Sequence, residues 1–442
     1  MTETSPADQQ DAAASHYALL VLLLAYILSF IDRNILSLLV GPIREAFNIS
    51  DFQFSLLHGL AFTLFYIVLG LPVGWLADRY SRKKIILSGV AFWSLMTCVC
   101  GYAKNFTSLF LARIGVGIGE ATLSPAAYSL LSDLYSAKNL RWATAIFAMG
   151  ITIGSGTSYL IGGWLFDAFS NMDLGHLPII GEMAPWQITF VAVGAPGFLV
   201  ALMIFFIREP QRLHLLAISP NHHIPVKDVA RFLKQHWRVY SAIILSVSMM
   251  AIAGYGTLIW YPEFLVRTYD MSKSAAGAAL GSIFIFAGTA GTFSGAWFSA
   301  LLQKFGFQDA NLRVVMLAAI IACLPATLAP LMDSSFWALL LSTVVIFVHY
   351  THFGVAMAGL QNITPNQMRA QISALLLFMA NLFGLALGGS IVASLTDFAF
   401  GNDAYLRYSL ATVSAVFYPL GAAFVWFGLN AYRLRLKSLK QS

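Results

Sequence analysis

The sequence predicts an all-α polytopic membrane protein, with twelve transmembrane helices in two pseudosymmetric six-helix bundles. Three observations carry this. The 442-residue chain is 58% hydrophobic and 10% charged, whereas soluble domains carry about 25% charged residues. Its apolar runs are long enough for the roughly 20 helical residues that cross a bilayer, and far too long for alternating barrel strands. The two halves also repeat each other weakly: Met149, Gly154 and Asp167 recur as Met379, Gly384 and Asp397 at the same spacing, as membrane repeats do.

Residues 1–16 are polar and lack Lys and Arg, so they have no basic start of a signal peptide; they read as a disordered cytoplasmic tail. The first bundle is expected over 17–207, with spans near 17–41, 53–77, 84–103, 107–135, 141–169 and 185–207. A polar linker follows at 208–238. Its second part carries Lys227, Arg231, Lys234 and Arg238 in an amphipathic pattern suited to a membrane surface. His222 and His223 adjoin there without further ligands, so an exposed loop pair is the expectation rather than a metal site. The second bundle is expected over 239–432, with spans near 239–266, 275–303, 312–331, 334–362, 369–397 and 404–431, and a cytoplasmic tail over 433–442.

The net charge of +6 invites a nucleic-acid reading, but the cations lie in short loops beside apolar spans, where the insertion rule explains them. One set of loops holds Arg79, Arg82, Lys83, Lys84, Lys138, Arg141, the 208–238 stretch, Lys304, Arg313, Arg369 and the tail from Arg433 to Lys440. The other holds only Arg44, Lys104, Arg267, Lys273 and Arg407. The bias predicts both termini in the cytoplasm of a multi-pass inner-membrane protein. Asn48 and Asn105 begin sequon-like triplets, a common chance match. The three cysteines, Cys98, Cys100 and Cys323, fall inside spans and read as packing residues.

Four charges interrupt apolar spans: Asp32 and Arg33 in the first, Arg113 and Glu120 in the fourth. A mid-bilayer charge costs at least about 2.5–3.5 kcal/mol, so each is a functional candidate. At ~1.5 Å per residue, Asp32 lies roughly 22 Å up from the inner end and Arg113 about 9 Å down from the outer end, at a similar level. Glu120, one heptad further, lies about 10 Å below Arg113 on the same helical face. Arg113 is therefore expected to be shared by two acids. Arg keeps its charge, whereas a carboxylate can take a proton. This points to proton coupling through Asp32, Glu120 and Arg113; a static ion pair joining the two helices is the structural alternative. Arg33 points about 100° from Asp32 and is expected to snorkel to the outer interface, with a weaker substrate role.

Gly115, Gly117 and Gly119 imitate a dinucleotide loop, but they sit in an apolar helix with no preceding strand, so helix packing is expected. In the second half Tyr255, Glu263, His349, His352 and Asn381 are the polar exceptions. Each histidine is a titratable candidate or a hydrogen-bonded packing residue. His58 is expected at an interface. Neither Gly-x-Ser-x-Gly nor His-Glu-x-x-His occurs, so no enzyme, metal or cofactor is expected.

The loop Gly74-Trp75-Leu76-Ala77-Asp78-Arg79-Tyr80-Ser81-Arg82-Lys83-Lys84, after the second span, resembles the signature loop of the major facilitator superfamily. Arg113-x-x-x-Gly117-x-Gly119 resembles its helix 4 motif. Helix 5 resembles the antiporter motif, except that Ser155 replaces the usual Pro after Gly154. Phe30-Ile31-Asp32-Arg33, the run Arg113 to Ala121, and Ser124-Pro125-Ala126-Ala127-Tyr128-Ser129 are similar to the Spinster-like branch.

The resemblance implies the major facilitator fold and a monomer working by alternating access around a cavity lined by helices 1, 4, 7 and 10. It implies substrate-binding roles for Arg113, Glu120, Arg33, Tyr255, His349 and His352. Sphingoid phosphates or lysophospholipids are the implied substrates, with a sugar or small organic anion as the alternative; a non-transporting receptor or a lipid enzyme is a more distant reading. It also implies a cytoplasmic gate at Gly74, Asp78, Arg79, Arg82 and Arg369, with Asp78 accepting from the first N–H groups of helix 11.

Overall fold

The structure is a computed structural model that describes residues 6–172, 183–210 and 225–441. Among the described residues, twelve helical segments are long and apolar enough to cross a membrane. Spans 1 to 6 are Ala13–Leu38, Asp51–Gly70, Arg82–Gly101, Phe106–Leu134, Asn139–Asn171 and Pro185–Phe205. Spans 7 to 12 are Trp237–Tyr269, Lys273–Lys304, Ala310–Leu331, Ser335–Asn362, Asn366–Phe400 and Asp403–Leu439. A linker helix, Val226–Gln235, precedes span 7. Part of the expected N-terminal tail is helical, because the helix of span 1 begins at Pro6. His222 and His223 lie outside the described residues.

The starts and breaks follow from local chemistry. Ser50 and Gln53 form a capping box at the start of span 2, and Asn105 and Ser108 form one at the start of span 4. In each, a side chain takes up a free N–H of the first turn. Asn48 adopts a left-handed conformation, φ 50°, and ends the helix before span 2. Span 1 tightens into a 3-10 turn at Ile35–Leu38. Span 4 breaks after Glu120 and restarts at Leu123, with Pro125 in the new first turn, where its missing N–H is harmless. π-helical turns occur at Phe284–Gly288 in span 8 and Leu382–Gly388 in span 11.

The chain divides into two compact units that do not follow the expected cut. Unit 1 is Met1–Ile49, Ala61–Ile218 and Ser272–Gly281; unit 2 is Ser50–Leu60, Ser219–Met271 and Ser282–Ser442. Each unit therefore contains the first turns of a span from the other half of the sequence.

Within unit 1, a Cβ on Gly277 would sit 2.2 Å from the Tyr159 carbonyl oxygen, and one on Gly281 2.5 Å from that of Gly156. Within unit 2, a Cβ on Gly59 would sit 2.8 Å from the Ala386 oxygen. Glycine is the residue that lets such backbones touch. The two units also share a polar device. Asp167 accepts from the Ser274 N–H at 2.9 Å in unit 1, and Asp397 accepts from the Phe52 N–H at 2.7 Å in unit 2.

The Gly115–Gly119 run lies within a continuous helix, Phe106–Glu120. Its three glycines abut Met96, Phe62 and Trp93 in turn, each too close to admit a side chain. Packing, not phosphate binding, accounts for them. His58 is fully buried in unit 2 rather than interfacial, since the turns that carry it are enclosed there.

Candidate functional site

Unit 1 buries four ionisable side chains together. Asp32, Arg33, Arg113 and Glu120 are each at most 6% exposed. The first two stand in the last turn of the helix that ends at Asn34; the other two lie on the segment ending at Glu120. Span 5 steadies span 1 beside them: Ser158 donates to the Ile31 carbonyl at 3.1 Å, and Asn34 donates to the Ser155 hydroxyl at 3.1 Å.

The structure brings Arg113 to the level of Asp32, but through the backbone: Arg113 Nη1 donates to the Asp32 carbonyl oxygen at 3.1 Å. Trp93 and Thr97 neighbour the Asp32 carboxyl. Among the described residues, Asp32 Oδ1 and Arg113 Nε and Nη2 find no hydrogen-bond partner.

Glu120 is not bound to Arg113. Its Oε2 accepts from Arg33 Nη2 at 2.7 Å and from Ser29 Oγ at 2.9 Å. This corrects the expectation that Arg33 snorkels outward and that Arg113 serves both acids. Side chains on a helix lean toward its N-terminus, which in span 1 is the direction of Ser29, one turn below Arg33. The guanidinium then lies 4.7, 4.6 and 5.0 Å from the ring centres of Phe30, Phe62 and Tyr66. Cation–π contacts of this kind gain strength when desolvated. The aromatic box and the carboxylate outweigh the pull of the interface.

Unit 2 holds the second cluster. His349 and His352 share a face of span 10, with ring centres 5.0 Å apart. His352 is 2% exposed. A Cβ on Gly254 would lie 2.0 Å from His349 Cε1, so span 7 offers a bare backbone as the seat for that ring. Tyr255 packs on Gly384 in the same manner. No Nδ1 partner for either histidine exists among the described residues.

The signature-loop residues take separate places. Nothing lies within 4 Å of a Cβ built on Gly74. Arg79 lies over Trp75, 3.9 Å from its ring centre. The Asp78 side chain lies outside the described residues. Arg82 is not a free gate cation: it is 2% exposed and ion-paired inside unit 1 with Asp133 and with Glu209. Its backbone N–H also donates to Glu209 at 2.7 Å. Arg369 donates to the carbonyls of Gln361 and Thr364 at 3.1 Å each, closing the end of span 10 within unit 2.

Sequence reasoning missed three ionic groupings. One is the pairing of Arg82 with Asp133 and Glu209, the latter in the polar linker. Asp51 takes both Arg267 Nη1 and Nη2 at 2.8 and 2.9 Å, while Arg267 Nε holds Glu263 at 2.8 Å. Asp309 binds Arg313 and Arg433 at 2.7 Å each. The i,i+4 spacing of Glu263 with Arg267 and of Asp309 with Arg313 was the available signal. Asp51, Asp397 and Asp403 also gather their carboxylates within 4.8 Å; the first two are engaged by Arg267 and by the Phe52 N–H.

Buried ions in apolar spans are features of proteins that move polar cargo or protons across lipid, and the comparisons agree. The profile of the Major Facilitator Superfamily matches residues 22–389. The chain is 24% identical to an MFS-type efflux pump of Mycolicibacterium smegmatis over 98% of this chain and 96% of that protein. It is 26% identical to the sphingosine-1-phosphate transporter SPNS2 of Danio rerio, over 56% of this chain and 47% of the relative, so it spans about half that protein's length. A crystal structure of a bacterial homologue of the human lysosomal transporter Spinster, in an inward-facing and unoccupied conformation, superposes with a TM-score of 0.77 at 28% identity. That match covers 97% of this chain and 98% of the other. The chain is a multi-pass membrane protein that belongs to the major facilitator superfamily.

Proposed function

We propose that this protein is a proton-coupled secondary transporter working by alternating access, and that its substrate is an amphiphile with an anionic head, a lysophospholipid or a sphingoid phosphate. The observation that carries the coupling is the Arg33–Glu120–Ser29 cluster beside the Asp32–Arg113 pair, wholly buried in unit 1. Two permanent cations face two carboxylates there. A proton on Glu120 removes half of the 2.7 Å ion pair and releases Arg33. A proton on Asp32 removes a nearby negative charge from Arg113, while the bond to the Asp32 carbonyl oxygen stays. Either step leaves a guanidinium less neutralised by carboxylate and so better able to bind an anionic head group, for which its planar fork is suited. His349 and His352 remain candidates on the second unit, where a small charge change would alter their contact.

Orientation belongs to the same proposal. The cation bias of the loops supports an inner-membrane protein with both termini in the cytoplasm. The lipid class rests on the Spinster-like relatives. The test is flux in proteoliposomes with an imposed pH gradient, screened over lysolipids, sphingoid phosphates, sugars and small organic acids. Lysolipid or sphingoid phosphate flux that follows the gradient, and that loses this dependence in Glu120→Gln, is the expected result. Gradient-driven flux of sugars alone would replace the lipid reading and keep the coupling. Unchanged pH dependence in Glu120→Gln would reject the coupling.

A further inference from the structure

Where the linker helix meets spans 7 and 12, unit 2 forms a cleft of about 500 Å³. Its walls include His236, Trp237, Arg238, Leu434, Arg435 and Ser438. No carboxylate lines it. Three other arginines near this end have acidic partners: Arg313 and Arg433 hold Asp309, and Arg231 holds Asp228. Arg238 and Arg435 have no ion pair among the described residues. Arg238 lies 5.7 Å from the Trp237 ring centre, and Arg435 lies 5.4 Å from that of Phe232, with one long bond of 3.4 Å to the Ile363 carbonyl. Burial and then the Arg435 charge hold His236 below its ordinary value, a second sign of a positive local field.

Exposed apolar side chains adjoin the cleft. Trp237 is 53% exposed and sits at the first turn of span 7, the level that Trp favours. Phe427, Ala431, Leu434 and Ser438 follow one another at helical spacing on span 12, and Phe427 and Leu434 are both exposed. A cationic cup thus adjoins an exposed apolar strip on span 12. The linker helix adds exposed Lys227 and Arg231 beside it.

We infer that this cleft is a binding site for an anionic phospholipid, with the head-group phosphate between Arg238 and Arg435 and an acyl chain along Phe427 and Leu434. Guanidinium forks pair with phosphate bidentately, and basic pockets beside membrane helices take anionic head groups. The site is independent of the transport substrate, because none of its residues belongs to either buried cluster.

The test is native mass spectrometry and thermal shift of the full chain in detergent with phosphatidylglycerol, phosphatidylcholine or inorganic phosphate added. Phosphatidylglycerol should give retained adducts and a higher melting temperature. Phosphatidylcholine and millimolar phosphate should give neither. The double variant Arg238→Gln/Arg435→Gln should lose at least fivefold in adduct abundance, while Arg231→Gln, which removes a nearby exposed charge, should not. If the double variant does not fold, the paired lysine variant Arg238→Lys/Arg435→Lys keeps the charge without the fork and should bind at an intermediate level. Equal binding of phosphatidylcholine, protection by free phosphate alone, or unchanged adducts in these variants would each overturn the assignment.

Discussion

Glu120 and Arg33 show how much one side chain's direction decides. A buried ion pair stabilises little against well-packed neutral residues, yet removing one partner costs about 3–5 kcal/mol because the other charge is stranded. Arg33→Met should therefore lower the apparent melting temperature more than the double change Arg33→Met/Glu120→Gln, which removes both charges. If the double variant melts no higher than the single one, the pair is not what holds these residues. Asp309 makes a pH-dependent case outside the bilayer. Burial alone would raise its carboxyl, but hydrogen bonds from Arg313 and Arg433 hold it below its ordinary 3.8. A carboxyl depressed in the folded state contributes stability above its unfolded value and loses it as pH falls through the folded one. The melting-temperature gap between wild type and Asp309→Asn should be constant near neutral pH and close below about pH 4. A gap unchanged at pH 3 would contradict the assignment. The level of Asp32 against Arg113 was legible at this scale, because rise per residue is fixed. The partner of Arg33 was not, because it depends on the lean of one long side chain and on three aromatic rings from two spans.

The repeat seen in the sequence becomes physical at the ends of helices. Asp167 and Asp397, matched by spacing, each accept from the second residue of another helix: Ser274 in the helix starting at Lys273, and Phe52 in the helix starting at Asp51. A first-turn N–H has no partner in its own helix, and a carboxylate there also meets the positive end of the helix dipole. Spacing revealed the match but not the cap, since the receiving helices lie 107 and 345 residues away. The removal of such a cap costs roughly 1 kcal/mol. Asp397→Ala should speed amide exchange at Phe52 about fivefold, and Asp167→Ala should do the same at Ser274. The effect should stay local to each unit. Exchange that remains at the wild-type rate at both amides would mean that the caps contribute nothing. Twelve spans were legible because hydropathy alone places an apolar helix in lipid. Their internal breaks, such as the one after Glu120, were not, because they depend on packing around glycines.

At the scale of the whole molecule, the division into units has a consequence for assembly. A cut through the linker leaves residues 1–210 without Ser272–Gly281 and residues 225–442 without Ser50–Leu60. Each half then lacks turns that its own unit packs around bare glycines and caps with an aspartate. The exposed seats would be the backbone at Tyr159 and Gly156 in one half and at Leu385 and Ala386 in the other. An unfilled packing seat and a carboxylate that has lost its N–H partner are costly in an apolar medium. Halves made separately should insert but remain sensitive to protease, whereas halves made together should co-purify and become resistant. Substituting Gly277 and Gly59 by Val in the co-expressed halves should abolish that resistance, because each Cβ would fall inside contact distance of a carbonyl oxygen. Full protease resistance of either half alone would show that the borrowed turns are dispensable, and that the bundles are complete along the chain as the sequence first suggested.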